Sequence, residues 1–433
     1  MARFLIGTMP LVGHVNPAFP IARKLVEKGH EVCWYTGQLF QSKIEATGAT
    51  YLPMTQAPDY SDPEVVKNLI ATEREKLKGL AQLKFDLKHV FIDAAIGQLA
   101  DLTEVLKTFK PDVILADSFF FGVSFLSEKN GIPWAQLGIT IFTPQSCDTA
   151  PAGLGLKPST SRLGRLRNRS LNAIFQHLIF RDITQHAIKV RSKVGLSGAM
   201  PLPFDFISPF LYLSATIPSF EYPRRDLPPQ VHFIGPLLPP LPASSNDRAP
   251  WQDLPNDRPI VHVTQGTVAT DPQQLIIPTI EALANEKVWV IATTGGQPIE
   301  SLNLPPLPSN AIVESFIPHG ALLPKVDVMI TNGGYNGVQV ALSHGVPLIT
   351  AGATEDKPEV GARVAWSGVG INLKTSTPTR SKILTAVREI LANPHYKQRA
   401  QVLQAEIQQQ DGATRAVELL EKLAMTQRAV VRR

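Results

Sequence analysis

The segment DVMITNGGYNGVQVALSHGVP, residues 327–347, holds the glycines best placed to do chemistry in this chain. An apolar strand over Val328–Thr331 runs into Asn332-Gly333-Gly334, and a helix opens at about Tyr335–Asn336 with Gly337 in its first turn. A glycine loop ending in a helix aims free backbone N–H groups and the positive end of the helix dipole at one point. That arrangement suits a phosphate or diphosphate. A second strand, Pro347–Thr350, leads to the acidic and basic pair Asp356-Lys357 on the next loop. Both loops leave the carboxyl ends of their strands, where open α/β sheets bind ligands, so this half of the chain is expected to hold a nucleotide.

Near the amino terminus, MPLVGHVNP sets His14 between an apolar strand and a helix. A histidine there suits a general base, provided a carboxylate holds its other ring nitrogen. Asp117, ending the strand DVILAD, is the best partner in this half because it too stands at a carboxyl strand end. Position alone leaves a second option open, in which His14 closes the loop and Asp117 caps the helix after it. Gln265-Gly266-Thr267 follows another strand like a phosphate-facing turn, although a lone Gly-Thr says little by itself. Phe316-Ile317-Pro318-His319 offers an aromatic ring to stack on a base or, equally, a core phenylalanine. There is no Asp-x-Asp pair to bring a divalent metal to a diphosphate and no Walker lysine motif, so no metal and no cofactor beyond a nucleotide co-substrate is expected.

The elements that must carry these residues alternate strand and helix. Arg3–Thr8 reads as a strand, and Asn16 as the cap of a helix that starts at Pro17, buries Ala18, Ile21, Ala22, Leu25 and Val26, and stops at Gly29. Further strands are read at Glu31–Tyr35, Asp112–Ala116 and Trp134–Leu137, with helical stretches such as Glu73–Lys107 between them. Prolines crowd from Pro218 to Pro259, where neither helices nor central strands can continue. The rhythm then restarts at Ile260–Thr264, a helix near Pro272–Glu286, Val288–Thr293, Val328–Thr331 and Pro347–Thr350. Helical patterns at Arg380–Ala392, His395–Gln409 and Ala413–Met425 close the chain ahead of a tail expected to fray. The fold class is therefore α/β: two Rossmann-like, doubly wound parallel-sheet domains facing a cleft. Their expected bounds are 1–220 for the acceptor side, 221–258 for a linker and 259–410 for the nucleotide side. A helix and tail at 411–433 is expected to turn back toward the first domain.

Composition agrees with two cores. The chain has 433 residues, 44% hydrophobic and 18% charged, which excludes a disordered chain and a single ordinary domain. Two cysteines, Cys33 and Cys147, make no disulfide framework and no metal spacing, which points to the cytoplasm. The apolar amino terminus lacks a small-residue cleavage site and reads as a strand rather than a signal peptide, and no run is long and apolar enough to span a membrane. Net charge is only +5, yet Lys157–Lys193 holds nine Lys/Arg against one acid, with Arg162, Arg165, Arg167 and Arg169 close together. This is either a solvated helix face or a surface for peripheral contact with anionic lipid or an acidic acceptor. Nucleic acid is not expected, because no aromatic residues alternate with the arginines.

These motifs together resemble the family 1 glycosyltransferases of two-Rossmann-domain (GT-B) type, which glycosylate small lipophilic molecules such as macrolides, sterols and flavonoids. The resemblance covers essentially the whole chain. GHVNP (13–17) resembles the Gly-His-x-x-Pro loop whose histidine is the base, and Asp117 falls where the orienting aspartate stands. HVTQGTVA resembles the donor loop, with Thr267 in the phosphate-contacting position and Gly266 before it. Phe316–His319 resembles the Trp-x-Pro-Gln segment on the uracil. NGGYNG, GVP and DKPEVGAR resemble the signature HGG-x-NS … GVP … DQ-x-x-NA-x-R. The resemblance implies inverting, metal-independent transfer from a nucleotide diphosphate sugar, UDP-glucose or similar, to a hydroxyl of a lipophilic acceptor, with His14 as base. Asp356 and Lys357 would contact the sugar, and the acceptor would sit among residues of about 60–105, Phe119–Phe121 and Phe142–Pro151. Asn332, Gly337, Val340, Phe316 and Lys357 depart from the pattern and bear on the donor. A thymidine diphosphate donor, lacking the 2′-hydroxyl, would miss the glutamate replaced by Val340 least. Three other readings share the architecture: a lipid glycosyltransferase at a membrane face, a sugar-nucleotide epimerase, and a non-catalytic nucleotide-sugar-binding auxiliary protein.

Overall fold

The strand patterns form two sheets. The computed structural model describes residues 1–68, 72–198, 200–238, 250–266, 271–302 and 304–432. The first sheet contains β1 (Arg3–Gly7), β2 (Glu31–Thr36), β3 (Thr50–Pro53), β4 (Val113–Asp117), β5 (Trp134–Gly138), β6 (Leu211–Ser214) and β7 (Val231–Phe233). The second contains β8 (Ile260–Thr264), β9 (Trp289–Thr293), β10 (Ala311–Glu314), β11 (Val328–Thr331), β12 (Leu348–Thr350) and β13 (Gly370–Asn372). Their orders are β3-β2-β1-β4-β5-β6-β7 and β10-β9-β8-β11-β12-β13, and every neighbouring pair is parallel.

Continuous apolar runs explain why both faces are covered. In β1, Phe4 and Ile6 point into a core with Ile21, Leu25 and Trp34, while Leu5 points into another with Tyr35, Leu99 and Phe121. In the second sheet, Met329 faces Val338, Leu403 and Ile407, and Val328 and Ile330 face Ile280, Leu283 and Ile383. The helix Gly412–Thr426 lays Ala416, Val417, Leu420 and Leu423 on the first domain's core beside Leu25, so the chain's end ties back to its beginning.

The structure departs from the sequence expectations in several places. Strands β3, β6, β7, β10 and β13 were not foreseen; each spans only three or four residues, too few for periodicity to register. β7 lies inside the stretch read as linker, so the first sheet extends beyond residue 220. Asn16 caps nothing. The chain is already helical from Val12, and the Asn16 N–H donates to the Val12 carbonyl, so no orphan amide is left to satisfy. The tail is not frayed: the Val430 N–H donates to the Phe210 carbonyl, and the Arg432 N–H to that of Pro229. The stretch 73–107 breaks into Leu80–Phe85, a wide π-helical segment Asp86–Ile92, and Ala94–Thr108. Among the described residues no helix is long and apolar enough to cross a membrane.

Candidate active site

Each sheet reverses its strand order once, between β1 and β4 and between β8 and β11. The loops leaving these strands diverge to opposite sides and open a crevice at the carboxyl ends. His14 follows β1 and Asp117 ends β4, whereas Gln265-Gly266 follows β8 and Asn332-Gly333-Gly334 follows β11. The paired registers Gly7↔Ala116 and Thr331↔Thr264 bring the two members of each set together.

In the first crevice His14 Nδ1 lies 3.1 Å from Asp117 Oδ1. The carboxylate is buried and held from two further sides, by the Met9 N–H on Oδ2 at 2.6 Å and the Phe119 N–H on Oδ1 at 2.8 Å. An ionised carboxylate only accepts, so His14 donates through Nδ1 and keeps Nε2 as a lone-pair acceptor. Among the described residues Nε2 has no hydrogen-bond partner. The imidazole lies against a pair of half-buried phenylalanines, Phe91 at 6.0 Å and Phe119 at 6.1 Å between ring centres, which themselves meet at 4.9 Å. Phe91 belongs to the wide helix Asp86–Ile92, a conformation often kept at functional sites. Phe120, Phe121 and Phe142, expected beside an acceptor, are core residues instead, each at most 2% exposed. Bulk and apolarity alone do not separate pocket from core.

In the second crevice the helix Tyr335–Ser343 follows Gly334, and its first-turn N–H groups lack acceptors within the helix. The two glycine amides, expected to be free, are engaged: Gly333 N–H donates to Thr331 Oγ1 and Gly334 N–H to Asn332 Oδ1 at 3.2 Å. Asn332 in turn donates through Nδ2 to the Gln265 carbonyl, bracing the two loops against each other. Gly333 has φ +86° and Gly266 φ +71°, the left-handed region that glycine enters without strain. Asn336 and Gly337 lie in the first turn of the helix. Phe316 is 67% exposed and Ile317 is buried, so the ring is available to a flat ligand rather than spent on the core. His319 stands half-buried, 5.7 Å from the ring of His262, and burial pulls its pKa below the ordinary value. Thr267 lies outside the described residues.

Asp356 and Lys357 do not pair with each other. Thr140, from the first domain, donates its hydroxyl to Asp356 Oδ2, and burial raises the Asp356 pKa. Lys357 is buried and bonds Glu355, a non-glycine residue at φ +56°. Such backbone strain gathers at ligand sites. Gln339, next to Val340, donates to Thr216 Oγ1 at 3.0 Å across the domains.

Sequence reasoning missed the residues that fasten the domains. Arg363 is buried, with Nε 2.8 Å from Glu221 Oε2 and Nη1 3.1 Å from Glu359 Oε2. Glu359 Oε1 also accepts the N–H groups of Gly153 at 2.9 Å and Gly155 at 2.6 Å. Asp356, Glu359 and Arg363 stood in view inside DKPEVGAR, but nothing in sequence marks Thr140 as the partner of the first, Gly153 and Gly155 of the second, or Glu221 of the third. Among the described residues, His89, Asp93 and His186 are one of two groups whose ligand atoms converge closely enough for a metal; the other is Cys147, Asp148 and Asp226.

Comparison with known proteins agrees with this architecture. A family profile described as "Erythromycin biosynthesis protein CIII-like, C-terminal domain" matches residues 279–423. The 4'-demethylrebeccamycin synthase of Lentzea aerocolonigenes is 47% identical, with 98% of this chain and 99% of that protein covered. UDP-glycosyltransferase 2 of Phaeomoniella chlamydospora is 32% identical, with 97% and 95% covered. Among solved structures, the calicheamicin glycosyltransferase CalG4 superposes with a TM-score of 0.73 at 20% identity over 98% of this chain and 99% of that one. At that identity the likeness speaks for the fold.

Proposed function

The chain belongs to the glycosyltransferase family of 4'-demethylrebeccamycin synthase and the UDP-glycosyltransferases, and we propose that it moves a hexose from a uridine diphosphate sugar to a hydroxyl of a small lipophilic acceptor with inversion. The observation that carries this reading is the His14–Asp117 pair at one switch point, with a helix amino terminus at the other. The acceptor hydroxyl attacks the anomeric carbon as its proton passes to His14 Nε2. The bond from that carbon to the diphosphate oxygen breaks, and its electron pair leaves with the nucleotide. Asp117 fixes the tautomer and stabilises the imidazolium. Developing charge on the diphosphate is met by the free N–H groups in the first turn of the helix at Tyr335–Gly337, which the braced loops at Gly266 and Asn332–Gly334 hold in place, without a metal. Phe316 stacks on the base, with Ile317 and His319 behind it, and Asp356 reads sugar hydroxyls. Phe91 and Phe119 supply an apolar wall for the acceptor. Because Cys33 and Cys147 are both free thiols, the proposed compartment is the cytoplasm.

The test is acceptor-dependent nucleotide release across a panel of UDP- and TDP-sugars, run on the wild type and on His14→Ala and Asp117→Asn. Both variants should lose about 10²–10⁴-fold in turnover while donor affinity stays within about twofold. Full turnover in His14→Ala would remove the base. Donor binding with no release for any acceptor, in the wild type, would favour a non-catalytic sugar-nucleotide binder.

A further inference from the structure

The helix Arg162–Ile174, continued by the wide turn Phe175–Ile179, is oriented opposite to an ordinary surface helix. Its asparagines face inward: Asn168 and Asn172 are buried and donate to the carbonyl oxygens of Cys147 and Ser146, each at 3.1 Å. Phe175 and Ile179 pack on the first domain's core, but four of the helix's aliphatic residues face out: Leu163 is 80% exposed, Leu166 63%, Ile174 42% and Leu178 74%. At about 100° per residue these four fall within an arc of about 120°, and the two asparagines lie roughly half a turn away. Surface helices normally turn the apolar stripe to the core, and single exposed leucines are common, but an outward stripe of four is a contact surface.

Charge identifies the partner. Arg162 and Arg169 are exposed along one border of the stripe, and Arg181 follows it. Arg165 and Arg167 are partly spent on the protein, the first on Asp148 at 2.8 Å, the second on Asn168 and the Lys157 carbonyl. The single acid between Lys157 and Lys193, Asp182, is neutralised by Lys84 and Lys88. An aliphatic stripe bordered by arginines that form no ion pair among the described residues matches the boundary between acyl chains and anionic headgroups.

We propose that the Arg162–Ile179 helix docks the protein on an anionic membrane surface. Leu163, Leu166, Ile174 and Leu178 enter the interface, and Arg162 and Arg169 meet the headgroups. Leu154 and Leu156, also exposed, sit on the loop that leads into this helix, the same loop whose Gly153 and Gly155 bond Glu359 across the cleft. Docking therefore holds the edge of the cleft near the bilayer, where a lipophilic acceptor concentrates. Only this role in acceptor delivery rests on the transferase reading; the docking does not.

The experiment is co-sedimentation of the full chain with phosphatidylcholine vesicles containing about a third phosphatidylserine, at low and high salt. The wild type should partition at least about tenfold better than onto pure phosphatidylcholine, and L163E/L166E should lose about tenfold or more. R162E/R169E should lose about fivefold for each charge removed, at low salt only. These side chains touch solvent, so the unfolding midpoints of the variants should match the wild type. Equal partitioning of wild type and L163E/L166E, or none by either, overturns the proposal. So does a wild-type dimer that L163E/L166E dissociates, since the stripe would then be covered by a second copy. No donor or acceptor is present in the vesicle assay, so its outcome and that of the turnover assay are independent.

Discussion

Arg363→Met asks whether one buried guanidinium fastens the two sheets together. Arg363 is 1% exposed and lies over the Tyr222 ring at 4.2 Å, between the Glu221 and Glu359 carboxylates. Burial alone would lower its pKa, but the two carboxylates outweigh burial and hold it above the ordinary value. Methionine keeps much of the stem's volume and leaves both carboxylates buried without their ion-pair partner, with only the Arg224 charge still near Glu221. Breaking such a pair from one side costs about 3–5 kcal/mol. The lower end applies here, because Glu221 keeps the Phe142 N–H and Glu359 keeps those of Gly153 and Gly155. At about 2–4 °C per kcal/mol for a cooperative unit of this size, about 3 kcal/mol lowers the unfolding midpoint by about 6–12 °C. Calorimetry at pH 7 and pH 5 reads both the size and the sign. In the variant the stranded carboxyls bind protons more readily folded than unfolded, so the deficit shrinks as pH falls. A midpoint within about 2 °C of wild type, or a deficit that grows toward pH 5, would refute the fastening. Adding Glu221→Gln to the variant should recover part of the loss.

Two further outcomes are expected. Phe316→Ala should weaken donor nucleotide binding by about 5- to 100-fold in calorimetry with the unfolding midpoint unchanged, because the ring is exposed before ligand arrives; equal affinity would put the base elsewhere. His262 is fully buried, its Nε2 has no partner among the described residues, and burial with the neighbouring His319 pulls its pKa down to about 3. Below its ordinary value of about 6.5 the unfolded chain takes a proton that the folded chain refuses. Stability should therefore fall by about 2 kcal/mol from pH 6.5 to 5, and urea unfolding of His262→Phe should show a flatter dependence.

What could be read in the sequence was whatever a short contiguous pattern encodes. Gly333 and Gly266 were legible because a strand-to-helix turn needs their left-handed backbone, and both strands of each crevice were legible as apolar runs. His14 and Asp117 could be paired because strand ends in a parallel sheet share one edge, even for residues a hundred positions apart. Phe91 and Phe121 could not be told apart in this way: one flanks the base and the other is core, and the difference lies in the break of the helix at Asp86. The asparagines of the Arg162 helix gave no hint that they point inward, since a helical pattern fixes which residues share a face but not which face the protein covers.

The acidic loop after β12 shows how contacts between domains redirect a motif's chemistry. As a linear pattern, Asp356-Lys357 offers a sugar-reading acid beside a cation for the diphosphate. In the fold the ammonium is buried on Glu355, so moving it to a phosphate would leave that carboxylate in a strained turn without its partner. Asp356 faces a smaller change, because it gives up the Thr140 hydroxyl for a sugar hydroxyl, one neutral donor for another. In the proposed reaction the acid is therefore the member of the pair that engages the donor. The leaving-group charge falls on the helix amino terminus at Tyr335, whose amides need no rearrangement to receive it.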